Sequence, residues 1–249
     1  MIEVQNLHRH FGAFRAVDGA SLRIETGSIT GLIGPNGAGK TTLINVICGQ
    51  TEPTEGTVSI DGRPITGLSA HGVARAGLAR TFQNIRLFDR LTALENVVVA
   101  AQSVGHGRAA AQDLAMAELT RLGLGPRWDA PAASFAYGDR RRLEIARALA
   151  LSPSYLLLDE PAAGMNPAET DDLIHMLEKL RAESALGILV VEHDMRLIMR
   201  LSDRMVVLNK GVKIAEGTPD QIRHDPAVIE AYIGTKRKNT KPLKGDASP

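Results

Sequence analysis

Short apolar runs recur along the chain and are separated by longer amphipathic stretches. Two of the runs, at 155–158 and 188–191, are apolar at every position, which is typical of strands covered on both faces in a parallel sheet. The stretch at 168–183 has apolar residues on one helical stripe, and Asn166 before it can cap the helix. The strand-like runs occupy residues 2–7, 20–24, 29–33, 57–60, 155–158, 188–191, 205–208 and 212–215. This alternation predicts an α/β fold.

Between residues 84 and 152 the pattern changes from mixed to helical. Strand-like runs are absent there, and helical patterns cover residues 93–102, 109–122 and 139–151. We therefore predict one domain at 1–234, with a core formed by 1–83 and 153–234 and an α-helical subdomain inserted at 84–152. Residues 235–249 are basic and poor in apolar side chains, which predicts a disordered, solvated tail, with contact to anionic lipid as the alternative.

Composition limits the function classes. The 249 residues are 44% hydrophobic and 23% charged, as in an ordinary globular protein. A net charge of +1 provides no overall field for nucleic acid, and 4% aromatics leave little for base stacking, so we expect no nucleic-acid partner. The single Cys48 excludes an internal disulfide. The chain shows neither a secretory signal nor an apolar run near the ~20 residues that span a bilayer, which favours a cytosolic protein that can dock on a membrane partner.

The octapeptide GPNGAGKT at 34–41 fits G-x-x-x-x-G-K-[ST], the phosphate-binding loop of nucleotide triphosphatases. Its glycines keep side chains away from the backbone N–H groups that must face a polyanion. Lys40 supplies charge for the β- and γ-phosphates, and the Thr41 hydroxyl can bind Mg²⁺. A strand-like run precedes the loop and a helical turn follows it, so the helix dipole also favours phosphate. The expected phosphate-binding residues are Gly34, Pro35, Asn36, Gly37, Ala38, Gly39, Lys40, Thr41 and Thr42.

The run at 155–158 ends in two adjacent carboxylates, Asp159 and Glu160. Ligands bind at the carboxyl ends of the strands in open α/β sheets. We expect Asp159 to hold Mg²⁺ and Glu160 to act as the base that polarises the attacking water. Without a phosphate loop in the chain, the same pair would be read as two solvated carboxylates.

Two further residues have weaker individual signals. His193 follows the buried run at 188–191 and can reach a γ-phosphate as a donor. Gln83 lies where the core gives way to the helical segment, and its amide can touch the metal or its water. Either residue alone could equally be an ordinary surface side chain.

Taken in chain order, these features resemble the ATP-binding subunit of an ABC transporter over residues 1 to about 234. The features are the phosphate loop, Gln83, AYGD at 136–139, LDEP at 158–161, AGMNP at 163–167 and His193. The resemblance implies an α/β P-loop NTPase (RecA-like) core with an antiparallel β edge, and Mg²⁺-dependent hydrolysis of ATP. It also implies that Phe11 stacks on adenine, with an ordinary core or surface Phe as the alternative.

The family usually reads Leu-Ser-Gly-Gly-Gln where this chain has FAYGD at 135–139. The resemblance implies that this segment contacts the ATP of a second ATPase subunit, in a homodimer or a heterodimer. Its expected nucleotide contacts are Ala136, Tyr137, Gly138 and Asp139. Ala136 lacks the usual hydroxyl, and Asp139 brings a carboxylate towards phosphate unless one of the three arginines at 140–142 neutralises it.

A narrower resemblance points to importer subunits for branched-chain amino acids. It is carried by RTFQNIRLF at 80–88, EPAAGMNP at 160–167 and the ending EGTP…AYIG at 216–234. It implies a peripheral protein on the cytoplasmic face of the plasma (inner) membrane. The implied partners are permease subunits, with residues 84–88 as the candidate docking segment, and indirectly an extracytoplasmic solute-binding protein. The transported solute is left open.

Two alternative functions follow from the same residues. One is an ABC-type ATPase that acts on nucleic acid or ribosomes, against which stand the single cassette, the near-neutral charge and the lack of a heptad run. The other is a regulatory module that binds ATP and hydrolyses it weakly, which Ala136 and Asp139 motivate.

Overall fold

The computed structural model describes residues 1–238. In chain order the strands are β1 (Ile2–Phe11), β2 (Phe14–Ile24), β3 (Ile29–Ile33), β4 (Glu55–Ile60), β5 (Arg63–Pro64), β6 (Leu78–Arg80), β7 (Tyr155–Asp159), β8 (Gly187–Val191), β9 (Arg204–Asn209) and β10 (Val212–Gly217). The helices are α1 (Lys40–Ile47), α2 (Ala70–Arg75), α3 (Ala93–Ser103), α4 (Arg108–Arg121), α5 (Tyr137–Leu149), α6 (Pro167–Glu183), α7 (Met195–Leu201), α8 (Pro219–His224) and α9 (Pro226–Lys238).

The central sheet has six strands in the order β10-β9-β3-β8-β7-β6. All neighbouring pairs are parallel except β10 with β9, which forms an antiparallel edge. Every residue of β3, β7 and β8 is buried, as the uninterrupted apolar runs predict. The α/β fold with an antiparallel edge is confirmed.

A second, antiparallel sheet has the order β2-β1-β4-β5. Its apolar residues share one core with α1 and with one face of the central sheet. The β1–β2 pairing is irregular, with register shifts between Val4 and Leu7, between Leu7 and Arg9, and between Arg9 and His10. Such shifts redirect side chains locally. Cys48 is buried beside this core, and burial raises the pKa of its thiol to about 12, so it is an inert core residue.

The segment between β6 and β7 contains α3, α4, α5 and two short 3-10 turns, and its β pairing consists of one isolated bridge between Thr92 and Pro131. Alanines and leucines of the three helices pack into the core on the opposite face of the central sheet. Thr92 and Glu95 form a capping box at the start of α3. The subdomain boundaries at 84 and 152 stay predictions, although the helical content matches them.

Several elements differ from the sequence expectations. The expected helix at 139–151 begins two residues earlier, at Tyr137, because Ala136 is extended and serves as its N-cap. Short elements such as β6 and α7 carry too little periodicity to be predicted and are ordered by packing against neighbours. Helix α9 ends at Lys238, residues 239–249 lie outside the described part, and the disordered tail at 235–249 stays a prediction.

Within residues 1–238, none of the helices combines the length and apolar character needed to cross a bilayer.

Candidate nucleotide site

The phosphate loop is shaped by close contact between its backbone and the neighbouring strands. A Cβ at Gly39, where φ is +98°, would lie 2.2 Å from the Ala16 carbonyl oxygen of β2. A Cβ at Gly34 would lie 2.2 Å from the Leu208 carbonyl oxygen of β9. These distances are far below van der Waals contact, so both positions require glycine. The loop is also tied down by a hydrogen bond from the Gly211 N–H to the Ala38 oxygen at 2.9 Å.

Lys40, the first residue of α1, lies inside the loop. Its ammonium donates to the Gly34 oxygen at 2.7 Å and to the Pro35 oxygen at 3.2 Å. Burial lowers the pKa of Lys40, and the charges of Glu160 and Asp159 oppose this shift. The lysine of the loop and the two carboxylates after β7 therefore lie at the same edge of the sheet. The sides of the loop open to solvent carry Asn36, Gly37 and Thr41, with Thr42 half-buried behind them.

Asp159 ends β7 with its carboxylate almost fully buried, and Arg80 at the end of β6 neutralises it. The Arg80 Nη2 donates to Asp159 Oδ2 at 2.9 Å. The Arg80 Nη1 donates to Asn45 at 2.7 Å and to Gln50 at 3.0 Å, which fixes the guanidinium plane. Because Arg80 uses only Oδ2, Asp159 Oδ1 is left for another ligand. The sequence analysis did not identify Arg80 as this partner, because the three-residue strand β6 was not predicted.

Glu160, Gln83 and His193 are brought together. The Gln83 amide donates to Glu160 Oε2 at 2.8 Å, and His193 Nδ1 lies 3.8 Å from the same oxygen. Glu160 has a left-handed backbone (φ +46°) and donates its N–H to the Val191 oxygen at 2.8 Å. The Glu160 side chain is 24% exposed, against 9% for that of Asp159, so it is the more accessible of the two carboxylates.

Glu192 is a buried carboxylate that the sequence reasoning missed. It is 1% exposed, and it accepts the Ala162 N–H at 3.0 Å and the His193 N–H at 3.1 Å. It therefore joins the loop after β7 to the loop after β8. A charged residue directly after an all-apolar strand was the available signal.

A second missed residue, Arg141 of α5, holds the backbone next to Gln83. Its guanidinium is fully buried and donates to the Phe82 oxygen at 2.7 Å and the Gln83 oxygen at 2.8 Å. Glu144 pairs with Arg141 at 2.6 Å and accepts the Arg86 N–H at 3.2 Å. Helix α5, which begins at the FAYGD segment, is thus connected directly to the Gln83 segment.

Of the expected contacts at 136–139, Ala136, Gly138 and Asp139 line a crevice of about 260 Å³ between the start of α5 and α6. Ala136 and Tyr137 are exposed, and Gly138 is half-buried. In the described part of the chain, no hydrogen bond or ion pair joins this segment to the phosphate loop of the same molecule. Asp139 lies 3.7 Å from Arg142 and 3.8 Å from Arg127, so two guanidinium groups offset its charge.

Phe11 lies at the tip of the β1–β2 hairpin and is half exposed. The Arg9 guanidinium stacks on its ring at 4.5 Å. Its expected contact with adenine stays a prediction.

Tyr232 of α9 contacts the phosphate loop, which the sequence analysis did not predict. Burial raises the pKa of its hydroxyl, and a hydrogen bond with the Gly34 backbone opposes that shift.

The donors around Lys40 suit a magnesium-bound triphosphate. The Thr41 hydroxyl, the Gln83 amide and Asp159 Oδ1 are oxygen ligands of the type that Mg²⁺ prefers. The glycines at 34 and 39 let the backbone of the loop close, and Arg80 contacts only Oδ2 of Asp159.

Comparisons with known proteins give the family. A family model described as ABC transporter matches residues 17–163, and one described as Branched-chain amino acid ATP-binding cassette transporter matches residues 212–237. The chain is 44% identical to the high-affinity branched-chain amino acid transport ATP-binding protein BraF of Pseudomonas aeruginosa and 42% identical to LivG of Escherichia coli, covering 94% of this chain and 98% of each relative.

Solved structures agree. The ADP conformation of MJ1267, an ATP-binding cassette of an ABC transporter, has a TM-score of 0.85 at 31% identity and covers 94% of this chain and 98% of that one. The dimeric bacterial ABC transporter cassette MJ0796 has a TM-score of 0.78 at 27% identity, covering 88% of this chain and 99% of that one. With a family model over more than half of its length and relatives above 40% identity along nearly all of it, this ATPase chain belongs to the ABC transporter family.

Proposed function

We propose that the chain is the ATP-hydrolysing subunit of an importer for branched-chain or related amino acids. The observation that carries the catalytic part is the convergence of Lys40, Asp159 and Glu160 at one sheet edge. The solute is supported by BraF and LivG, whose names state branched-chain amino acid transport, and by the match at residues 212–237.

In this proposal the backbone N–H groups of the phosphate loop and the Lys40 ammonium hold the β- and γ-phosphates of ATP. Lys40 exchanges its two carbonyl acceptors for phosphate oxygens. Thr41, Gln83 and Asp159 hold Mg²⁺, which when bound offsets charge on the phosphates. Phe11 offers its exposed ring to adenine.

Glu160 takes the role of the base that orients water towards the γ-phosphate. Its Oε2 already accepts from Gln83, so the other oxygen is available for water. His193, with most of its ring exposed, donates to the departing phosphoryl oxygens. Gln83 joins the metal, the base and the Arg141-held backbone, so it can transmit the nucleotide state to α5.

The residues at 136–139 act on the ATP of a second ATPase subunit. Three observations support this: the exposure of Ala136 and Tyr137, the lack of contact between the segment and its own phosphate loop in the described residues, and the dimeric state of the similar cassette MJ0796. Arg127 and Arg142 offset the Asp139 charge that would otherwise repel phosphate, so this departure from the usual sequence is compatible with hydrolysis.

The partner in the membrane is a permease that docks on residues 84–88 from the cytoplasmic side. Phe88 is half exposed in this segment, while its N–H is fixed by Asn96 at 2.8 Å. The Arg86 guanidinium covers the Phe82 ring at 4.0 Å. An exposed aromatic on an anchored backbone is a typical interface element.

The test has two arms. Titration of the purified chain with Mg²⁺–ATP tests the site, and absence of binding would contradict the nucleotide assignment. Reconstitution with the genetically adjacent permease and solute-binding protein tests the transport assignment: leucine, isoleucine or valine should stimulate phosphate release. Stimulation by another solute alone, or co-purification with nucleic acid in place of a multi-span membrane protein, would overturn that assignment while leaving the ATPase intact.

A further inference from the structure

Three side chains of types that bind metals meet on the β1–β2 strand pair, in a different sheet from the strand that carries Asp159 and Glu160. They are His8 and His10 of β1 and Asp18 of β2, and their ligand atoms all lie within 4.8 Å of one another. His8 Nδ1 lies 3.0 Å and His10 Nε2 3.8 Å from the same oxygen, Asp18 Oδ1. All three side chains are three-quarters buried or nearly so, which keeps them in place.

The backbone of this strand pair is built to bring them together. His8 and His10 are two residues apart on β1, and their rings meet edge to face with centroids 5.6 Å apart. The register shifts between Leu7 and Arg9 and between Arg9 and His10 bend the strand at this point. Gly19 beside Asp18 has a φ of +75°, a left-handed backbone conformation that favours glycine at this irregular part of β2.

The hydrogen bonds of the cluster are incomplete. His10 Nε2 is buried and forms no hydrogen bond with the described residues, since Asp18 Oδ1 at 3.8 Å is beyond hydrogen-bond distance. His8 Nε2 lies 3.3 Å from Asn6 Oδ1 while Nδ1 faces Asp18, so both of its ring nitrogens face acceptors. A neutral imidazole carries one ring proton and can satisfy only one of them. A His8–Asp18 ion pair would account for His8 alone and would leave His10 unexplained.

We propose that His8, His10 and Asp18 bind one divalent transition-metal ion, with Zn²⁺ as the best match. Two imidazoles and one carboxylate are a usual zinc ligand set, with water in the fourth position. At ordinary Zn–N and Zn–O lengths, tetrahedral ligand atoms are about 3.3 Å apart, so the 3.0 and 3.8 Å separations from Asp18 Oδ1 need shifts of about half an ångström or less. The two histidine nitrogens lie within 4.8 Å of each other and need to approach by at most about 1.5 Å.

The surroundings support this assignment. Arg15 takes the other oxygen, Asp18 Oδ2, at 3.2 Å and leaves Oδ1 free for the ion. With the metal on Nδ1, the His8 Nε2–H donates to Asn6 Oδ1, which is the outer hydrogen bond that fixes a metal-bound histidine. The ion would cross-link β1 and β2. The Asp18 N–H donates to the Gly211 oxygen at 2.9 Å, and the Gly211 N–H donates to Ala38 of the phosphate loop, so the site is connected to that loop.

Zinc titration of the untagged, chelator-treated full chain by calorimetry is the test, without nucleotide because ATP itself binds Zn²⁺. We expect one Zn²⁺ per chain, and a loss of affinity of at least ~100-fold in His10→Gln and in His8→Gln, since outer-shell changes alone cost 10–100-fold. The control His71→Gln changes an exposed histidine of α2 and should bind as the unchanged chain does.

The site would be overturned by fewer than one Zn²⁺ bound per unchanged chain, by undiminished binding in both cluster variants, or by an equal loss of affinity in His71→Gln. Circular dichroism without metal establishes that each variant folds. If both cluster variants fail to fold, Co²⁺ titration of the unchanged chain decides: four-coordinate visible bands support the site, and only six-coordinate bands contradict it. Neither readout depends on ATP hydrolysis, so this test is separate from that of the proposed function.

Discussion

Arg80 and Arg141 each form a buried ion pair with a carboxylate, but the two pairs differ in their exposure to solvent. The Arg80–Asp159 pair at the sheet edge keeps a narrow exposed side, with 8% and 9% of the two side chains accessible. The Arg141–Glu144 pair at the start of α5 is closed, at 0% and 2%. The Arg80 Nη1 also donates to the side chains of Asn45 and Gln50, whereas the Arg141 Nη1 and Nη2 donate to the backbone of Phe82 and Gln83.

This difference in exposure suits the two ion pairs to different roles. The partly exposed Arg80–Asp159 pair keeps the carboxylate charged and oriented while leaving one of its oxygens for a cation. A closed pair has no ligand to receive and acts as a clamp on a loop. Gln83 lies between them, because its amide reaches Glu160 and its carbonyl is held by Arg141. We therefore expect changes at Gln83, or at the Glu160 side chain that it contacts, to reduce turnover most. Changes at the two ion pairs should differ in whether bound ligand restores the lost stability.

The largest effect is expected for Glu160→Gln, at the carboxylate that the Gln83 amide contacts. The amide keeps the size and the bond to Gln83 but cannot attract a proton from water, so phosphate release with permease present should fall by about 10²–10⁴-fold. Nucleotide affinity should stay within a few-fold, measured by titration. Glu230→Gln, at an exposed position on α9, is the matched control. Undiminished turnover in Glu160→Gln would show that Glu160 is not the base.

Next is Arg141→Met, which opens the closed pair. Glu144 would be left as an uncompensated buried charge, and two carbonyls would lose their donors, so the free energy of unfolding should fall by about 3–5 kcal/mol. Chemical denaturation measures this, with the exposed Arg108→Met as a control that should change it by less than about 0.5 kcal/mol.

The double variant Arg141→Met with Glu144→Leu separates charge from clamping. Removing both charges should restore much of the stability, because buried ion pairs are often replaceable by apolar groups. Turnover should stay reduced, since the Phe82 and Gln83 carbonyls still lack donors. Full recovery of turnover together with stability would mean that the clamp has no functional role.

A smaller loss, of about 3 kcal/mol, is expected for Arg80→Met, because Asp159 keeps some access to solvent. Here Mg²⁺–nucleotide should recover part of the loss, as the cation replaces the missing positive charge beside Asp159. The same ligand should raise the stability of Arg141→Met no more than that of the unchanged chain. Equal recovery in both variants, measured by ligand-dependent thermal unfolding, would remove the distinction between the pairs.

The smallest effect concerns Glu118 in α4, whose pairing with Arg121 at 3.8 Å is too loose to offset its surroundings. Burial raises the pKa of Glu118 above 4.5, and the Arg121 charge opposes this. The folded state then holds this proton more tightly than the unfolded state, so its contribution to stability falls as the pH rises from 4.5 through the raised value.

Glu118→Gln removes that dependence. Relative to the unchanged chain, the variant should gain stability between pH 4 and pH 7, by less than about 1 kcal/mol. Urea unfolding at both values checks the sign. A relative loss over that range would mean that the Arg121 pair outweighs the burial of the carboxylate.

The sequence predicted those parts of the site whose residues are adjacent to one another in the chain. The phosphate loop and the Asp159–Glu160 pair each follow a buried strand, so chemistry and local structure can be inferred together. Arg80 could not be assigned, because β6 is three residues long and its pairing with β7 joins segments 75 residues or more apart. Its role depends on that pairing alone.

Arg141 shows a different limit. It stands among three arginines at the start of a helix, a pattern that usually indicates a solvated face. Its spacing of four residues from the buried Ile145 places it on the inner face, and only the adjacent loop carbonyls make a buried guanidinium acceptable there. Periodicity could have shown its direction, but its partners come from a segment that only the folded chain supplies.

The tight fit of Gly39 against Ala16 has a thermodynamic consequence. A loop wedged between strands of two sheets is preorganised, so the conformational entropy of fixing it is lost during folding rather than when phosphate arrives. Loosening β2 should therefore weaken phosphate affinity without touching any group that meets the ligand.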